Sequence, residues 1–256
     1  MQSVKRLGSA IFLPLILISA TLISGCSSAP EFKSRAANLT GKSQLTEQEV
    51  LDIDPLTEIT EHDIQQALKE ANKDSFLIPK NSPIVLVQSG ANIPDAAMQQ
   101  EMMKYYNISV YSGLSPTKPK TPIARKNAEQ ALLPQPNYIK SLRLAAAKAR
   151  QNKIVVYWGS FEQGLPDKDN TKIVWLPYHN GDILRETKYL RYSIRFATVD
   201  VKSGMWVMYT PPNTESEFIN VAFQSSQNKL NQVTEVKESA YVEAAKNFAE
   251  RFEKLR

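Results

Sequence analysis

An α/β (α+β) single domain, with a mixed sheet flanked by helices and ending in an antiparallel hairpin and a C-terminal helix, is the fold class the sequence predicts. Three observations carry it. Two continuous aliphatic runs, Ile84-Val85-Leu86-Val87 and Ile154-Val155-Val156-Tyr157-Trp158, have strand length and suit strands covered on both faces. Helical patterns stand between and beside them, the alternation expected of crossover units. Later, residues 189–201 alternate as a long strand and enter Asp200-Val201-Lys202-Ser203-Gly204, a hairpin turn in which Gly204 can take positive φ.

Taken in order, Thr46-Glu47-Gln48-Glu49 carries a capping-box pattern and opens a short helix. Thr60 suits the N-cap of a second helix, with Asp63 in its first turn and Ile64, Leu68 and Ala71 on one face. After the strand at 83–88, Ser89-Gly90-Ala91-Asn92 turns the chain and Pro94 suits a helix start. The helix over 95–106 puts Met98, Met102 and Tyr105 on a stripe that reads as core. Ile108-Ser109-Val110-Tyr111 alternates as a strand. Residues 113–136 hold five prolines and form a long loop, of the kind that is often functional. Asn137 caps a helix to Arg150 with Tyr138, Leu142, Ala145 and Ala149 inward and Leu144 at its edge. Short strands are expected at 172–175 and 182–184. The long strand turns Tyr192, Ile194, Phe196 and Thr198 to one face, and Ser193, Arg195, Ala197 and Val199 to the other. Met205–Tyr209 returns antiparallel. A last helix over 236–256 has Val242, Ala245, Phe248, Ala249 and Phe252 as its inner stripe.

The N-terminus reads as a processing signal. Lys5 and Arg6 precede an apolar run over 10–18, and no acid occurs before Glu31. The run, broken by Pro14 and Ser19, is short for a membrane span of about 20 residues. It ends in Leu22-Ile23-Ser24-Gly25-Cys26. This resembles a bacterial lipoprotein signal: an aliphatic residue three before Cys, then two small residues, then the thiol. The resemblance implies cleavage after Gly25, with Ile23, Ser24 and Gly25 as the peptidase motif. It implies thioether-linked diacylglycerol on Cys26 and palmitate-type acylation. Ser27, not Asp, follows the cysteine, which by enteric sorting implies the outer membrane, facing the periplasm.

The expected layout is therefore a signal peptide over 1–25, a lipidated Cys26 with a polar tether over 26–56, and a periplasmic domain over 57–256. Val50, Leu51 and Ile53 leave open a docking of the tether's helix on the body. The chain has 31 Lys and Arg against 26 Asp and Glu; losing residues 1–25 removes Lys5 and Arg6 and leaves 29 basic residues. That small excess is no nucleic-acid footprint. The densest basic cluster, Lys118, Lys120, Arg125 and Lys126, lies in the proline-rich loop and reads as solvated.

The domain resembles the α/β lipoproteins related to the Tol N-terminal domain, the curli-secretion lipoprotein and the lipoprotein activators of peptidoglycan synthases. Three stretches carry this: Ile84–Val87 with the helix after it, the helix at 138–150 running into Val155-Val156-Tyr157-Trp158, and Val199-Asp200-Val201-Lys202-Ser203-Gly204-Met205-Trp206. The chain is also similar to gammaproteobacterial lipoproteins. The resemblance implies a protein that binds other proteins or builds assemblies, without catalytic residues of its own.

One Cys excludes an internal disulfide framework, and two His, at 62 and 179, leave little room for a metal site. There is no Gly-x-Ser-x-Gly elbow, no His-Glu-x-x-His and no phosphate-cradling Gly-rich loop. No cofactor and no metal are expected. One aromatic-lined cluster is a binding candidate: Trp175, Tyr178, His179 and Asp182, with Asp182 able to orient the imidazole. Trp158, Glu162, Trp175 and Trp206 would line a sugar-binding groove if the strands bring them together, core packing being the plainer reading. The sequence favours a non-enzymatic binding or scaffold module for an envelope protein or peptidoglycan. The alternative is a cell-envelope hydrolase using His179 and a nearby carboxylate.

Overall fold

Aliphatic, strand-length segments and capped amphipathic helices assemble here into a seven-stranded mixed sheet with helices on both faces. The computed structural model describes residues 44–53, 57–71, 76–115, 137–167, 172–178, 186–218 and 226–253. All of them belong to one compact unit spanning residues 35–256.

The strands are β1 (Pro83–Gln88), β2 (Asn107–Tyr111), β3 (Lys153–Pro166), β4 (Ile173–Pro177), β5 (Tyr189–Asp200), β6 (Trp206–Tyr209) and β7 (Glu215–Glu217). β1 pairs in parallel with β2 and β3, while β3–β5 and β5–β6 are antiparallel, giving the order β2-β1-β3-β5-β6. The two longest strands outrun their neighbours. The distal half of β3 therefore takes β4 as a partner, and the start of β5 takes β7. Gly159 makes this extension possible: a Cβ there would fall 2.0 Å from Tyr192 Oη. The hairpin forms as its residues dictate. Ser203 donates to Asp200 Oδ1 through its amide and its hydroxyl, and Gly204 has φ of 78°.

The helices are α1 (Glu47–Leu51), α2 (Glu61–Ala71), α3 (Ala96–Met103), α4 (Tyr138–Lys148) and α5 (Ser226–Glu253). α3 and α5 cover one face, where Ile84, Leu86, Tyr157, Ile194 and Phe196 meet Met98, Met102, Tyr241, Phe248 and Phe252. α1 and α4 cover the other, where Val85, Val87, Ile154, Val156 and Val199 meet Leu45, Val50, Ile139, Leu142 and Ala146.

Several expectations are corrected. α1 has its capping box, and its apolar residues Val50 and Leu51 are buried with Leu45 while Ile53 is exposed, so the docking left open by the sequence occurs. α2 forms with Thr60 and Asp63 bonded reciprocally, yet buries nothing; Ile64 and Leu68 are 47% and 52% exposed. α4 turns Ile139, Leu142 and Ala146 inward, with Tyr138 half-buried beside them and donating to the Ser112 carbonyl, while Ala149 is exposed. α5 begins ten residues before Val236 and uses Tyr241 in its stripe, leaving Val242 exposed. α3 stops at Met103, with Pro94 before its N-cap, Asp95. β7 was not expected. The strand expected at 182–184 and most of the proline-rich loop lie outside the described residues.

Candidate functional site

Strand periodicity decides which expected residues meet. β4 pairs Trp175 with Gly164, so both point to the face that α1 and α4 occupy elsewhere. Tyr178 comes down on the opposite face, where its ring stands 5.6 Å from Phe161 in an edge-on contact. Trp175 and Tyr178 are therefore separated by the sheet. An odd spacing of three residues along an extended chain requires this. His179 and Asp182 lie outside the described residues, as do Ile23, Ser24, Gly25 and Cys26.

Around Trp175 the structure builds a compact polar cluster. Among the described residues no helix packs over this face of the distal β3, β4 and β7, whereas α5 packs against β5 on the opposite face. The Arg191 guanidinium lies 4.0 Å from the Trp175 ring centre, a cation–π stack. Its Nε donates to Glu162 Oε2 at 2.8 Å, and Ser193 Oγ donates to the same oxygen at 2.7 Å. Glu215 stands at 3.5 Å from Arg191 Nη1. The indole also lies close to Gly164, where a Cβ would meet Ile173 at 2.7 Å and the Trp175 ring at 3.2 Å. Burial alone would push the Glu162 carboxyl up, but the bonds from Arg191 and Ser193 outweigh it and hold it below its ordinary value. Glu162 is thus a charged acceptor, not a proton donor.

Ser160, exposed on the same face, separates this cluster from Trp158. Trp158 Nε1 donates to the Leu45 carbonyl at 2.8 Å, and Arg195 lies 5.6 Å from its ring while pairing with Glu47 at 2.6 Å. The open face therefore presents two Trp–Arg pairs, each with a carboxylate, across an exposed serine. Trp206 is also on this side of the sheet but at its far edge, beside Val199, so the expected four-residue groove is not assembled. Arg191 and Arg195 were the missed members. The alternation of Arg191, Ser193 and Arg195 along β5 marks a polar sheet face, but which aromatic ring each arginine meets is set by strand register.

A second polar cluster lies on the opposite face, at the C-terminal end of β1. Asp95 accepts from Tyr241 Oη, from Lys237 Nζ and, at 3.3 Å, from Gln88 Nε2. Its own amide donates to Gln88 Oε1, which also accepts from Tyr157 Oη at 2.8 Å. Burial raises the Asp95 carboxyl, but the bonds from Lys237 and Tyr241 overcome this and lower it; burial pushes the Tyr241 and Tyr157 phenols up. Every member is matched, so the cluster reads as a fastener between β1, α3 and α5. A groove of about 330 Å³ between β7 and α5 is lined by Glu217, Phe218, Glu235 and Ser239.

Among the described residues no group of three or more His, Cys, Asp or Glu is placed to hold a metal ion, and no helix is long and apolar enough to cross a membrane. Residues 46–251 match a family model described as YafT bacterial lipoprotein. Among solved structures the chain is similar to a protein described as a neuraminyllactose-binding hemagglutinin homolog from Helicobacter pylori. The identity is 13% and the TM-score 0.28, over 70% of this chain and 87% of that one. No curated protein matches the chain.

Proposed function

The chain belongs to the YafT bacterial lipoprotein family, and from that premise we propose that it is a lipid-anchored, non-enzymatic binding module of the cell envelope. Cys26 carries the acyl chains, with Ile23, Ser24 and Gly25 as the cleavage motif. At about 0.8 kcal/mol per buried CH₂, several chains make the attachment effectively permanent. Ser27 directs the protein to the outer membrane, and the α/β body faces the periplasm. Confinement near the membrane raises the effective concentration of the body toward a membrane-side partner.

The observation that supports binding is the sheet face left open beyond α1, which bears Ser160, Glu162, Trp175 and Arg191, with Trp158 and Arg195 held against α1 at its edge. Aromatic and arginine side chains held in place by mutual contacts are what protein interfaces use as anchors. The partner is an envelope protein or peptidoglycan. A photo-crosslinking residue at Ser160, in cells, tests this. A discrete adduct, identified by mass spectrometry and lost when Trp175→Ala and Arg191→Ala are added, is the expected result. The same adduct from Lys246, exposed on α5, or none from Ser160, sinks the assignment of this face.

A further inference from the structure

We propose that the C-terminal end of α4 and the β5–β6 hairpin form a docking surface for a bilayer carrying anionic phospholipid headgroups. The inference rests on the lipid-anchored reading for the nearness of the bilayer.

Residues 137–153 contain Lys140, Arg143, Lys148, Arg150 and Lys153 and no acidic residue. Two of these charges are matched: Lys140 pairs with Asp52 at 3.4 Å, and Lys153 with Asp200 at 2.6 Å. Arg143, Lys148 and Arg150 have no ion-pair partner among the described residues, and neither has Lys202 of the hairpin. Arg143 instead donates to the carbonyls of Val201 and Lys202, at 3.2 and 3.1 Å. This clamp leaves its positive charge uncancelled and holds Lys202 beside α4.

Apolar groups sit among these cations. Leu144 is 59% exposed, one turn from both Lys140 and Lys148. Trp206, 42% exposed, stands on the sheet face that α4 covers, next to Val199 in register. Long cationic stems around an exposed Leu and Trp are the composition of a surface that rests at a bilayer boundary.

The rest of the charge is arranged to orient such docking. Residues 44–71 hold eight acidic residues and one lysine. An anionic surface repels that stretch and attracts the α4 end. The covalent connection permits the contact. Seventeen residues lie between Cys26 and Gln44, a contour of about 60 Å at full extension. Gln44 is bridged to Leu114 near the C-terminal end of β1, and the strand's length puts the hairpin end about 20 Å away.

The test uses the mature chain from residue 26 with Cys26→Ala, so that no acyl chain contributes. Vesicles of phosphatidylethanolamine with phosphatidylglycerol are compared with vesicles of phosphatidylcholine alone, by co-sedimentation and tryptophan emission. The expected result is salt-sensitive binding to the anionic vesicles alone, with a blue shift that Trp206→Ala removes. A cation at an anionic surface strengthens partitioning about fivefold, so Lys148→Glu with Arg150→Glu should weaken binding about 25-fold or more. The control, Lys229→Glu with Lys246→Glu on α5, makes the same charge change and should leave binding within about twofold. Equal loss in both double variants, or no binding to anionic vesicles, overturns the docking surface. Neither result touches the anchor, which is read separately by acyl labelling of the Cys26 chain.

Discussion

Replacing Asp95 by Asn tests the fastener between β1, α3 and α5. The amide keeps an acceptor oxygen for Tyr241 but loses the charge. Hydrogen bonds to a charged group contribute about 1.5–3 kcal/mol and neutral ones about 1, so the Tyr241 bond weakens by about 1 kcal/mol. The Lys237 pair is about one-third exposed on both sides, so solvent screening limits its loss to about 1 kcal/mol. Lys237 is not stranded, since its ammonium also lies 5.6 and 5.7 Å from the Tyr192 and Tyr241 rings. The sum is about 2 kcal/mol, which for a body of this size lowers Tm by about 4–8 °C.

The pH dependence has a fixed sign. The Asp95 carboxyl is depressed in the folded state, so its contribution is complete above its unfolded value near 4. It is lost as pH falls through the lower, folded value. Urea unfolding of wild type and Asp95→Asn, followed by circular dichroism, should therefore show a constant gap from neutral pH to about 5, closing below about 4. A gap under about 0.5 kcal/mol at neutral pH, or one that widens in acid, would show that the Asp95 cluster does not fasten β1 to α3 and α5.

Two further outcomes follow from packing. Val50→Ala removes two methyl groups from a fully buried site and should cost about 2 kcal/mol in urea unfolding, with a red shift of Trp158 emission as α1 loosens; an unchanged midpoint would mean α1 is not part of the cooperative unit. Gly159→Ala drives a methyl into the Tyr192 ring, and a loss of about 3 kcal/mol or more is expected, seen as a lowered Tm or insolubility, whereas wild-type Tm would show that Tyr192 can yield.

How much was legible depended on where the determining contacts lie along the chain. β1 and the first half of β3 were readable because burial on both faces leaves an uninterrupted aliphatic run. The hairpin was readable because Asp200, Ser203 and Gly204 settle it locally. α2 shows the opposite: an apolar stripe predicts a helix, but says nothing of whether a surface receives it. The inward face of α4 lies about one position from the expected one, at Ile139 and Ala146, while Tyr138 keeps its place against the core and finds in Ser112 a long-range partner that no local pattern contains. β7 carries Glu-Ser-Glu, which has no strand signature, and is a strand only because β5 offers it an open edge. At the candidate site, Trp175 and Glu162 could be named from the sequence. Arg191 could not, because its stack on Trp175 and its bond to Glu162 both depend on strand register. The Asp95 cluster was illegible for the same reason, joining residues as far apart as 95 and 241.

On the proposed function, a fatty modification of the Cys26 sulfur ties this body to a membrane. Metabolic labelling with an alkyne palmitate analogue, followed by membrane fractionation of wild type and Cys26→Ala, measures it directly. Lipidation at Cys26 predicts a labelled, shortened wild-type protein in the outer-membrane fraction and an unlabelled, uncleaved variant. Label in both forms, or in neither, contradicts it.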